Sequence, residues 1–192
     1  MAVRMIPLKC RKDSDMSTDE ESRKKTCRSL FSYLGRNPGS WWLSSTRLKD
    51  AADALRDTCW PKEKKQHDLK AATANFRLGP VYMLLMGMAI EDALKTIIVA
   101  QDDECIRKKV LSKDFATHDL KVLWSKAGLN RCRDERLLGR LQNFVVSFGR
   151  YPVSRTEDYM DTMMGSSFHA EPDFDKVTRL WTFLEQHATK VL

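Results

Sequence analysis

From Val81 to Ala100 the chain is apolar almost without relief, except for Glu91, Asp92 and Lys95 near the middle of the run. Its length would span a bilayer, but Asp92 and Lys95 alone would each cost about 2.5 to 3.5 kcal/mol at the bilayer centre. The run is therefore expected to be a buried helix in a protein that does not enter a membrane. Extended to about Ala72–Gln101, it carries Val81, Leu84, Leu85 and Met88 on one side, with Ile90, Leu94, Ile97 and Ile98 filling much of the rest. A helix apolar on most sides is central in its bundle or packs against a second copy.

The remaining sequence supports a helical setting. Only 8 Gly and 6 Pro occur in 192 residues, too few for the frequent turns of a sandwich or barrel. Apolar positions at helical spacing predict a helix over about 45–58, with Leu48, Ala51, Ala52, Leu55 and Cys59 inward and Trp60-Pro61 as its end. Asp102, Asp103 and Glu104 open a short charged segment, read as a helix ending near Leu111. Thr117 is expected to cap a helix to Ala127, with His118 in its first turn and Gly128 as the stop. Residues 134–148 form the next predicted helix, with Leu137, Leu141, Phe144, Val145 and Phe148 as its core stripe. A short helix is expected near 157–164. The last starts near Pro172 and turns Phe174, Val177, Leu180, Trp181, Leu184 and Ala188 inward. No strand is expected. The fold class is all-α: a bundle of five to six helices with one long central helix.

Five cysteines, widely spaced and without a C-x-x-C pair, point away from a disulfide framework or a zinc site, and no metal or cofactor is expected. Met1 to Leu8 lacks the apolar core of a signal peptide, so the expected location is cytoplasmic. Residues 1–40 hold nine Lys or Arg against five acids, a net +4 within the total of +7, and lack sustained apolar periodicity. They are expected to form a flexible or partly ordered basic arm, with Trp41 and Trp42 as packing anchors where the domain of residues 41–192 begins. Within that domain, 107–140 contains ten basic and four acidic residues. Arg107, Lys108, Lys109, Arg133, Arg136 and Arg140 are therefore the candidate contacts for RNA or a nucleotide, with solvated surface as the simpler reading.

The sequence has no P-loop, no G-x-G-x-x-G, no H-E-x-x-H and no G-x-S-x-G. Three residues remain as candidates for chemistry. Glu91 lies four residues before Lys95 on the central helix, beside Asp92, and such a pair contributes only about 0.2 to 0.5 kcal/mol if exposed. His118 carries the side chain best suited to proton transfer near neutrality. Arg150, in Gly149-Arg150-Tyr151-Pro152, suits either a helix C-terminus or a phosphate.

The succession of Glu91-Asp92-x-x-Lys95 in a long central helix, His118-Asp119-Leu120 before a helix stopped by Ala127-Gly128-Leu129, and Gly149-Arg150-Tyr151-Pro152 resembles bacterial members of the HEPN (higher eukaryote and prokaryote nucleotide-binding) superfamily. The resemblance covers about residues 75–190. It implies a helical bundle, RNA or nucleotide as ligand, and pairing of two copies. The family's active members are metal-independent ribonucleases with an Arg-x4-6-His motif. Here His67, His118, His169 and His187 all lack an Arg at that distance; the nearest pair is Arg179 and His187, with seven residues between them. Catalysis would therefore use residues from different helices, such as His118, Arg150 and Glu91. The expected function is an RNA- or nucleotide-binding HEPN-like protein, either inactive or with a rearranged ribonuclease site. The alternative is a non-enzymatic helical interaction module, a homodimer through its central helix.

Overall fold

The computed structural model describes residues 13–60, 69–102, 106–107, 110–112, 115–129, 132, 134–148 and 170–192. Six α-helices account for most of them: α1 (Asp13–Arg36), α2 (Pro38–Cys59), α3 (Leu69–Gln101), α4 (Leu120–Lys126), α5 (Glu135–Asn143) and α6 (Ala170–Val191). The protein is an all-α bundle built around one long helix, and that helix is α3.

From Arg77 onward most apolar residues of α3 are covered by the chain itself. Tyr82, Met83, Met86, Ala89, Ile90, Ala93, Leu94 and Ile97 to Val99 are all buried. α2 packs along one side and α6 along another, with α4, α5 and the segment after α5 closing the remainder. From Arg77 onward only Arg77, Val81, Ala100 and Gln101 of α3 are exposed. Little of that stretch is left to meet a second copy.

Aromatic rings seal the helix contacts. Trp42 of α2 stacks on Trp181 of α6 with centroids 5.6 Å apart, so it anchors the bundle as its position suggested. Trp60, Tyr82 and Phe174 meet edge to face, joining the end of α2 to α3 and α6. Trp124 of α4 stacks on Phe183 of α6. In α6, Val177, Leu180, Trp181, Leu184 and Ala188 are buried, in agreement with the apolar spacing of the sequence.

α5 passes directly into a π-helical turn, Phe144–Phe148, rather than continuing as the α-helix expected to Phe148. The turn keeps the neighbours Phe144 and Val145 buried together. Here the bundle is at its tightest: a Cβ at Gly87 of α3 would lie 2.6 Å from Val145 Cγ2 and 3.0 Å from the Leu141 carbonyl oxygen.

Three expectations are corrected. Residues 13–36, read as an arm without sustained periodicity, form α1. Its acids all precede its bases, which suits the helix macrodipole, and Glu20 pairs with Lys24 at 2.6 Å. From Asp19 to Arg36 every residue but Ser32 and Gly35 is exposed. The boundary with the bundle falls at Asn37, ahead of Trp41, because Asn37 Oδ1 accepts the Gly39 N–H at 2.9 Å and Pro38 fills the first helical position. Asn-Pro is thus a helix start where breaker chemistry was expected.

The second correction concerns the segment after α3. Ile106–Arg107 (β1) and Val110–Leu111 (β2) pair antiparallel, with Ile106 opposite Leu111 and Arg107 opposite Val110. The β-branched Ile106 and Val110 favour extended backbone over the expected charged helix. The third is the start of α4. Thr117 Oγ1 accepts the Asp119 N–H, while Asp119 Oδ1 accepts those of Lys121 and Val122. Asp119 is therefore the N-cap, and His118 lies just outside the helix instead of in its first turn. Gly128 ends α4 as expected, at φ +65°. The short helix expected near 157–164 lies outside the described residues.

Candidate functional site

α3 brings Glu91 and Lys95 onto one face one turn apart, and both are only 5% exposed. Lys95 Nζ donates to Glu91 Oε1 at 2.6 Å. Burying two charges is expensive unless the pair is close and its remaining valences are met. Here they are met from both sides. Lys95 Nζ stands 5.4 Å from the centroid of the Trp41 ring and 5.5 Å from that of Phe115, whose own centroids lie 5.1 Å apart in an edge-to-face pair. Each ring presents its negative face to the ammonium. Trp41 is fixed in turn by donating its Nε1–H to the Gly35 carbonyl at 2.8 Å.

The other side of Glu91 is occupied by His118. Its Nδ1 lies 3.1 Å from Oε1 and 3.0 Å from Oε2, while 49% of the imidazole is exposed. A carboxylate at Nδ1 holds the proton there and leaves the Nε2 lone pair outermost in the neutral ring. Nε2 has no hydrogen-bond partner among the described residues. The chain thus displays a half-exposed imidazole whose orientation and tautomer are set by a buried ion pair. Such an arrangement can accept a proton at Nε2 or return one.

Asp92 faces α2. Ser44 Oγ donates to its Oδ2 at 2.7 Å, and burial pushes the carboxyl up from the usual carboxylate range, with Ser44 and Lys95 opposing that shift. Ser45 Oγ donates to the Ala89 carbonyl at 2.6 Å. These two serines lock the start of α2 to α3 beside the ion pair.

Of the three candidates for chemistry, Glu91 and His118 are brought into contact; Arg150 lies outside the described residues. The basic candidates separate. Arg107 belongs to β1, whereas Lys108, Lys109 and Arg133 lie outside the described residues. Arg136 is exposed and Arg140 half-buried on α5. The Leu120 N–H donates to Gln142 Oε1 at 3.1 Å, which seats the start of α4 on α5.

Sequence reasoning missed the aromatic walls, Trp41 and Phe115, and the Ser44 contact. A signal for the burial was present: Ala89-Ile90 precede the pair, Ala93-Leu94 lie within it and Ile97-Ile98 follow, with only Asp92 and Thr96 polar beside it. Among the described residues no group of three His, Cys, Asp or Glu is placed to hold a metal ion, and no helix is long and apolar enough to cross a membrane. A groove at the elbow of α1 and α2, lined by Ser29, Ser32, Tyr33, Arg36, Asn37 and Pro38, contains none of the candidate residues. Comparison of the chain with protein-family models, with curated proteins and with solved structures finds no match in any of the three.

Proposed function

We propose that this chain is a HEPN-like, RNA-binding helical protein of the cytoplasm with a rearranged, metal-independent acid–base site centred on His118. The observation that carries this reading is the contact of His118 Nδ1 with Glu91, itself buried and paired to Lys95. An imidazole oriented in this way performs the proton transfers that phosphodiester cleavage needs, and Glu91 and Lys95 act as its positioning residues. Arg136, exposed on α5, Arg140 and Arg150 are the candidates to supply charge for phosphates.

Incubation of labelled mixed-sequence RNA with the protein in the presence of EDTA tests the reading. Binding that weakens steeply with salt is expected, together with cleavage that falls about 100-fold or more in His118→Ala. Cleavage unchanged in a folded His118→Ala variant removes the site assignment. Absence of both an RNA shift at low salt and cleavage removes the RNA reading.

A second reading, a helical interaction module, is favoured by Leu30, Phe31 and Leu34 of α1 and Leu43 of α2, all large apolar side chains exposed to solvent. Because α3 is largely covered within its own chain from Arg77 onward, a homodimer would use this surface rather than that part of the central helix. Sedimentation over a range of concentrations decides between monomer and dimer.

A further inference from the structure

Trp41 stands in the first turn of α2. About one turn further on, Ser44 and Ser45 are hydrogen-bonded to Asp92 and to the Ala89 carbonyl. Residues three and four apart share a helix face, so the indole is held against the stretch of α3 that carries Glu91 and Lys95. Its ring centroid lies 5.4 Å from Lys95 Nζ and 5.1 Å from that of Phe115. Lys95 fastens Glu91. Phe115 precedes His118 by three residues, in a turn where the N–H groups of Phe115 and Ala116 both donate to the Ser112 carbonyl, at 2.9 and 2.8 Å. Trp41 therefore touches both sides of the Glu91 to His118 contact without taking part in it.

That contact depends on how the carboxylate is turned. His118 Nδ1 lies 3.1 and 3.0 Å from the two oxygens of Glu91, so its N–H points between them and the carboxylate plane must keep one orientation. Lys95 Nζ on Oε1 at 2.6 Å supplies the stop. Among the described residues this ammonium, 5% exposed, hydrogen-bonds to Glu91 and meets two rings. A buried cation deprived of one of these contacts turns toward water and takes its hydrogen bond with it. We propose that Trp41 is a positioning residue for His118: its π face keeps Lys95 seated on Glu91, which keeps the imidazole proton on Nδ1 and the Nε2 lone pair outward. The role rests on the acid–base reading of His118 given above. The indole N–H is spent on the Gly35 carbonyl; the imidazole depends on the ring.

The test is nitrogen-15 NMR of the full chain labelled at histidine, recorded well above the ordinary imidazole range, where the Nδ1–H and Nε2–H forms of the neutral ring are distinguished. The Nδ1–H form of His118 is expected to dominate in the wild type. His187, whose Nδ1 lies 2.7 Å from the Phe183 carbonyl, is the internal reference. Trp41→Met keeps apolar bulk without a π face. It is expected to lower the Nδ1–H to Nε2–H ratio of His118 about 3- to 10-fold, the scale of one desolvated cation–π contact, with His187 unchanged. Trp41→Phe, which keeps a ring and loses the indole N–H, is expected to retain the wild-type ratio. A folded Trp41→Met with the wild-type ratio overturns the role given to Trp41 while the reading of His118 stands. An equal fall in Trp41→Phe assigns the effect to the Gly35 hydrogen bond and overturns the role of the ring. If Trp41→Met does not fold, fluorotryptophan at all five tryptophans, which weakens the negative face and keeps its shape, is measured in its place, with the same fall expected and an unchanged ratio overturning the role. If His118 of the wild type is not in the Nδ1–H form, the acid–base reading falls and this inference falls with it.

Discussion

At position 92 the chain keeps a carboxyl where burial works against its charge. The folded state holds the Asp92 proton more tightly than the unfolded chain does, so its contribution to stability declines as pH rises through the carboxylate range, from the unfolded value up through the raised folded one. Below that window the carboxyl is neutral in both states and the penalty is absent. Asp92→Asn keeps an oxygen for the Ser44 hydroxyl and removes the charge. Its stability relative to wild type is expected to increase with pH across that window and then level off, as read from urea unfolding at steps from about pH 3 to about pH 7. Glu91, one residue earlier, is in contact with both Lys95 and His118. The sequence suggested that Glu91, Lys95 and His118 matter, because i, i+4 spacing and residue type are local properties. It did not place His118 on Glu91, since a contact spanning 27 residues depends on how α3 and the segment before α4 pack. Nor did it reveal Trp41 and Phe115 around Lys95, which no periodicity links.

Among the helices, the approach of α3 to α5 depends on what is missing from Gly87. An added methyl would meet Val145 and the backbone of Leu141, and backbone cannot move aside as a flexible side chain can. Gly87→Ala is expected to destabilise the protein by about 1 to 3 kcal/mol through overpacking. Gly139→Ala serves as the contrast, because its new Cβ would meet only the mobile end of Lys121 at ordinary contact distance. There the helical preference for Ala over Gly is expected to stabilise by about 0.5 to 1 kcal/mol. Chemical denaturation of both variants checks the two signs. Helix identity was readable for α2, α3, α5 and α6 because each carries its own apolar stripe. Besides α1, which has no apolar stripe to read, and the π-helical turn after α5, the errors came at junctions: Asp119 outcompeted Thr117 as a cap, Asn37-Pro38 started a helix, and the Ile106 to Leu111 segment closed as a ladder. Each was decided by a few backbone hydrogen bonds or local dihedral preferences, which apolar periodicity does not register.

Across the whole molecule, α1 and the bundle are unequal partners. Burial is concentrated from Ser45 onward and none is recorded in α1 from Asp19 to Arg36, so a chain beginning at Asn37 is expected to unfold in one cooperative transition within a few degrees of the full chain. Thermal unfolding followed by circular dichroism tests this, with a loss of helical signal matching the absent α1. A melting temperature lower by more than about 10 °C would show that α1 supports the core. The same cut would lower the net charge from +7 to +3. In α1 itself, Asp13, Asp15, Asp19, Glu20 and Glu21 precede Arg23, Lys24, Lys25, Arg28 and Arg36 without intermixing. At 1.5 Å per residue this helix is about 36 Å long, so the sorted charges give it a large permanent electric moment directed along its axis. Within the helix the basic end, which joins the bundle, is drawn toward a polyanion and the acidic stretch is repelled, while Arg4, Lys9, Arg11 and Lys12 ahead of the acidic stretch act against that turn.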